Sequence, residues 1–168
     1  TLFLLASPEI TLVLGGEQYE SGIYSVPLIV LAYFFVFLYG FYVNYEFAKE
    51  KTTIIPIATL LAAIVNIVLN IYIIPKYGII GASFTTAVSY FLMLMFHYIV
   101  VVKGMKHRDF PDYYMWISIV AIFISMLVTY LAIHHFIIRC ILCISIIIVY
   151  SLYLYYFVMK RNQLKLMK

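Results

Sequence analysis

Apolar runs of about 20 residues, each closed by a short polar gap, alternate along the chain. Five of them stand out, at 27–47, 54–74, 79–102, 113–133 and 137–159. At about 1.5 Å of rise per residue, each is long enough to cross a hydrocarbon layer of about 30 Å. The pattern therefore predicts an all-α integral membrane protein, a multi-helix bundle.

The gaps carry helix-boundary chemistry. Ser25 precedes Pro27, Thr52 and Thr53 precede Pro56, Pro75 and Gly78 separate the second run from the third, and Pro111 with Asp112 opens the fourth. Residues 1–26 read as the end of a preceding helix, 1–5, and an outer connector. That connector is expected to be turn-rich over 9–24, with Pro8 just before it and Gly15, Gly16 and Gly22 within. Residues 160–168 read as a basic cytoplasmic tail. Because the chain opens on Thr1 inside an apolar run, the expectation is a C-terminal part that follows an absent N-terminal one.

Composition excludes a water-soluble domain. Hydrophobic residues make up 66% and charged ones 11%, against about 45–50% and about 25% in soluble domains. Membrane lipids are therefore the first expected partner. The net charge of +4 is loop charge, with no basic patch for nucleic acid. It is also lopsided. Lys49, Lys51, Lys103, Lys106, Arg108, Lys160, Arg161, Lys165 and Lys168 fall on one face, and only Lys76 and Arg139 on the other. Lys and Arg accumulate in cytoplasmic loops, so a cytoplasmic C-terminus in a multi-pass protein of the inner (plasma) membrane is expected. Cys140 and Cys143 lie inside an apolar run with no second ligand pair, so neither metal nor cofactor is expected.

Three runs carry small or polar residues at helical spacing: Thr59, Ala62, Ala63, Asn66 and Asn70; Gly78, Ala82, Thr85, Thr86, Ser89, Met93 and His97; Ser118, Ala121, Ser125, Thr129 and Ala132. Such stripes are expected to face protein rather than lipid. For Gly78, Gly81, Ala82, Ser89 and Ser125 the reading is close helix packing. Asn66, Asn70 and His97 have two readings, packing or the lining of a pathway, because polar groups at membrane depth are costly. Asn44 and Glu46, just before Lys49, Glu50 and Lys51, read as an interfacial helix end with local ion pairs or as part of the same pathway. No phosphate-binding glycine loop, GxSxG or HExxH occurs, and the outer acids stand apart from any His or Arg cluster. Transport without covalent chemistry, rather than an enzyme, is the expectation.

Two stretches resemble one family. Ser7-Pro8-Glu9-Ile10, then Leu14-Gly15-Gly16 and Tyr19, looks like a connector leading into a helix begun by proline. Asn66 and Asn70 followed by Ile74-Pro75-Lys76-Tyr77-Gly78-Ile79-Ile80-Gly81-Ala82-Ser83 is similar to an "N, N, IP-YGI-GA" stretch. In that order, with two closing helices and a basic tail, they resemble the polysaccharide transporters or O-antigen flippases. These belong to the multidrug/oligosaccharidyl-lipid/polysaccharide superfamily. The resemblance covers about residues 6–90. It implies the C-terminal lobe of a MATE-like transporter that flips a polyprenyl-pyrophosphate-linked glycan across the bacterial inner membrane, with the missing N-terminal lobe as partner. Cationic groups for the anionic lipid head are then expected mainly in that lobe. A MATE-type cation or drug antiporter shares the fold but calls for an acid inside the cavity, and Glu46 is the only acid near a span. A glycan polymerase or acyltransferase calls for a large outer loop with Arg and His, whereas the outer loops here are short.

Overall fold

The computed structural model describes residues 2–106 and 112–166, with Glu17, Ser21 and residues 157–166 as backbone alone. The boundary reading at Pro111 and the charges of Arg108 and Lys168 lie outside the described residues. Within them the fold is all-α, without a strand. Helix α1 spans Leu2–Gly15, α2 Val26–Ala48, α3 Ile54–Tyr98, α4 Asp112–Leu131 and α5 Phe136–Leu166. A 3-10 segment, Glu17–Tyr24, precedes α2, and a π-helical segment, Ile99–Gly104, follows α3. Among the described residues, four helical stretches are long and apolar enough to cross a membrane: Val26–Ala48, Ile54–Gly104, Asp112–Leu131 and Phe136–Tyr156.

The first correction concerns the N-terminal region. The helix does not stop at residue 5 but continues through Pro8 and Glu9 to Gly15, and only Glu17–Tyr24 is a tight turn. Pro8 has no N–H for the carbonyl of Leu4, four residues back. The Ser7 hydroxyl donates to that carbonyl instead, at 2.7 Å, and Thr11 donates to the Ser7 carbonyl at 2.8 Å. The polar backbone groups freed by proline are satisfied locally, which apolar surroundings require.

The second and third runs form one helix on paper and a hairpin in space. Gly78 interrupts α3 with φ 54° and ψ −134°, a conformation glycine adopts without a Cβ clash. Thr85 then donates to the Asn70 side chain, and a Cβ added at Gly81 would lie 3.2 Å from the Ile73 carbonyl oxygen. In a straight helix, residues 70 and 85 would be about 22 Å apart. The arms 54–77 and 79–98 therefore run back along each other. Pro75 sits inside the first arm, so the turn belongs to Gly78 and not to the Pro75–Gly78 pair.

Helix α2 is central. Leu31, Ala32, Phe35, Leu38 and Tyr42 are buried against Ala87 and Leu94 of the second arm, Met115, Ile119 and Ile122 of α4, and Leu4 of α1. Helix α2 packs most extensively on α3, while α5 rests chiefly on α1. Helix α4 is antiparallel to α2, for Tyr42 donates to Met115 Sδ at 3.1 Å near one end and Tyr130 to the Tyr24 carbonyl at 2.6 Å near the other. Tyr42 is thus buried in the bundle. Helix α5 continues through residue 166, so most of the expected separate tail is helical.

Candidate functional site

At the end of the bundle that carries Lys49, Lys51 and Lys103, α2 and the second arm of α3 bring two distant ionisable side chains together. His97 Nδ1 lies 2.9 Å from Glu46 Oε1 and 3.0 Å from Oε2, and both side chains are wholly buried. Tyr39 stacks on the imidazole with centroids 5.5 Å apart and planes at 16°, and Phe96 meets it edge-on. His97 Nε2 is buried without a hydrogen-bond partner.

Local structure holds each partner in place. Helix α2 closes with Lys51 N–H on the Glu46 carbonyl and Glu50 N–H on that of Phe47, with Glu50 at φ 57°. This is a Schellman closure whose left-handed position is Glu rather than the usual Gly. On the other side the helical ladder widens to π at Ile99, two residues after His97, a distortion that is rare and frequent at functional sites. The reading of Glu46 as an interfacial helix end with local ion pairs is corrected: its partner is 51 residues away. Asn44, on the same helix, is exposed and does not join the pair.

Asn66 and Asn70 form a separate group near the hairpin turn. Asn70 donates to Asn66 at 3.0 Å and accepts from Thr85, whose hydroxyl also lies 2.9 Å from the Ala82 carbonyl. Thr86 donates to the same carbonyl, and buried Ser89 donates to the Thr85 carbonyl. Of these bonds, the one from Thr85 to Asn70 joins the two arms. Gly81 is where they touch: an added Cβ would lie 2.9 Å from Ile73 Cγ2 and 3.0 Å from Tyr77 Cβ. Gly78 acts differently from a packing residue, since it is exposed with no atom near a notional Cβ.

The small-residue stripes only partly face protein, which corrects that expectation. On the first arm Ala58 and Ala62 are buried while Thr59 and Ala63 are exposed. On α4 the buried face is Met115, Ile119, Ile122 and Thr129, with Ala121 exposed and Ser125 half-buried, its hydroxyl on the Ala121 carbonyl.

The opposite end holds a second pair that the residues alone did not bring together. Arg139, 4% exposed, donates to Glu9, to the Ile133 carbonyl, and to the Ala132 carbonyl at 2.9 Å. It ties α1 to α5 and caps the carbonyl end of α4, where a cation also suits the helix dipole. Nearby, the Tyr24 hydroxyl is 3.2 Å from His134 Nε2. The outer acids therefore do not stand apart from Arg and His. The available signal was one Glu in the first apolar run and one Arg in the last, both on the sparsely charged face. Cys140 and Cys143 are free thiols.

Comparison with known proteins adds one relative. Over 58 residues, 34% of this chain, it is 38% identical to an uncharacterized membrane protein of Methanocaldococcus jannaschii. The match spans 11% of that protein's length. No family model matches the chain, and no solved structure matches it significantly. Long apolar helices and this relative agree on one coarse conclusion. The chain is a multi-pass membrane protein.

Proposed function

We propose that the chain belongs to a transporter that flips a lipid-linked oligosaccharide or polysaccharide precursor across the cell membrane, as part of the C-terminal lobe of a MATE-like fold. The observation that carries this reading is the Glu46–His97 pair. Ionisable groups enclosed in an apolar bundle are expensive, and such residues mark pathways and moving interfaces in transporters. The resemblance over residues 6–90 supplies the substrate class, a polyprenyl-pyrophosphate-linked glycan. The motif at its centre surrounds the Gly78 hairpin.

In this reading nothing is bonded or cleaved. Helices α2 and α3 move against each other, and the buried pair holds one of the alternating arrangements, while the Thr85–Asn70 bond keeps the two arms of α3 together. The C-terminus is cytoplasmic, by the excess of Lys and Arg on that face. Accessibility labelling of single cysteines at Arg108 and Lys168 should mark both from the same side. Labelling from opposite sides would remove the orientation.

Export itself is tested in cells lacking the full-length protein. Lipid-linked glycan should accumulate on the inner leaflet, and the wild-type gene should restore it to the surface. Asn70→Leu separates the two readings of that residue: lost export at normal abundance supports a pathway role, and unchanged export supports packing. Unaltered surface glycan in the deletion strain would sink the proposal.

A second reading, a cation or drug antiporter, is favoured by one observation: Glu46 is an acid wholly enclosed by the bundle. Its mark would be drug sensitivity on deletion, with surface glycan unchanged.

A further inference from the structure

Between α2 and α4 a furrow runs along the helix axes on the outside of the bundle. Phe37, Phe41, Tyr114 and Ser118 line one part and Val30, Phe34, Ser118 and Ala121 the other, so Ser118 joins them into one slot. From Val30 to Phe41 it is about 17 Å long by helical rise. Its floor is made by buried Leu38, Tyr42, Met115 and Ile122, and Tyr42 meets Met115 there.

The lining is apolar in effect because its hydroxyls are already used. Tyr42 donates to Met115 Sδ and Ser118 to the Tyr114 carbonyl at 2.7 Å. A slot between two touching helices admits an extended hydrocarbon chain but not a third helix of about 10 Å diameter. Its rim is aromatic, with Phe37 61% and Tyr114 60% exposed, whereas close helix approach favours small residues at the rim.

Charge at one end of the slot completes the match. One turn beyond Phe41, Tyr45 carries the Lys49 ammonium 5.5 Å from its ring centroid, and exposed Lys51 follows. We propose that this furrow seats one acyl chain of an anionic glycerophospholipid, with its phosphate at Lys49 and Lys51. The small residues Ser118 and Ala121 then have a use that the buried face of α4 does not give them: they make room for the chain. This assignment does not depend on what the protein transports.

The test uses the full-length protein in vesicles of phosphatidylcholine doped with phosphatidylglycerol bearing a photoreactive acyl chain. Crosslinks should concentrate in the peptides containing residues 30–42 and 114–122, above those on exposed α5 residues such as Ile141 and Ile148. Ala121→Phe, at an exposed position, should fill the slot and abolish that enrichment. Lys49→Gln should lower labelling by the anionic probe about fivefold, and leave labelling by a phosphatidylcholine probe unchanged. Even labelling over all exposed helices overturns the proposal. So does a photoreactive residue at position 37 that crosslinks to polypeptide instead of lipid.

Discussion

Glu46 and His97, 51 residues apart in sequence, meet with His97 Nδ1 within 3.0 Å of both carboxylate oxygens and with no exposure to solvent. Removing either partner leaves the other unpaired in a dry interior. Glu46→Ala and His97→Ala should each destabilise by about 3–5 kcal/mol. The double variant, Glu46→Ala with His97→Ala, should lose much less than the sum. Thermal unfolding in detergent checks this, and additive losses would show that the pair is not coupled.

The hairpin depends on two glycines for different reasons. Gly78→Val forces a β-branched residue to φ 54° and should cost about 1–2 kcal/mol. Gly81→Leu meets Ile73 and Tyr77 at distances with no slack, so expression and folded yield should fall more sharply. Fluorescence size-exclusion profiles rank the two variants. Normal yield of Gly81→Leu would remove the close-packing argument.

Arg139→Leu strips the carbonyl end of α4 of its cap and leaves Glu9 unpaired, and should destabilise by about 3 kcal/mol. Arg139→Lys should rescue only part of this, because one ammonium cannot reach Glu9 and two carbonyls in the planar geometry of a guanidinium. The comparison is made by protease resistance of the α4–α5 turn. Full rescue by Lys would mean that charge alone matters there.

Glu50 holds a left-handed position that glycine fills at no steric cost. Glu50→Gly should therefore stabilise the end of α2 by about 1 kcal/mol, raising the unfolding temperature without changing the Glu46–His97 pair. A lowered temperature would point instead to an interaction of the Glu50 side chain.

Much of this architecture is legible in the residues, because lipid imposes a rule that acts residue by residue. Every stretch of backbone at membrane depth must satisfy its own hydrogen bonds, so apolar runs of spanning length become helices. Gly78 likewise announces the turn, and the clustering of Lys and Arg announces two unlike faces. The exceptions follow from hydrogen bonds that hydropathy does not encode. Pro8 reads as a breaker until the Ser7 hydroxyl takes the carbonyl it leaves free, and Glu46 reads as an interfacial helix end until His97 arrives from the second arm.

The chain by itself determined that it forms helices, where most of them lie and which groups are too polar to face lipid, since each depends on local composition and period. Which polar group meets which, Glu46 with His97, Glu9 with Arg139 and Asn70 with Thr85, was decided only by tertiary packing. So was the direction of the small stripe of α4, which leaves Ala121 exposed and buries Thr129. The physical reason is that partners separated by 15 to 130 residues are chosen by how helices rotate and cross, and periodicity along one helix carries no information about its neighbour's rotation.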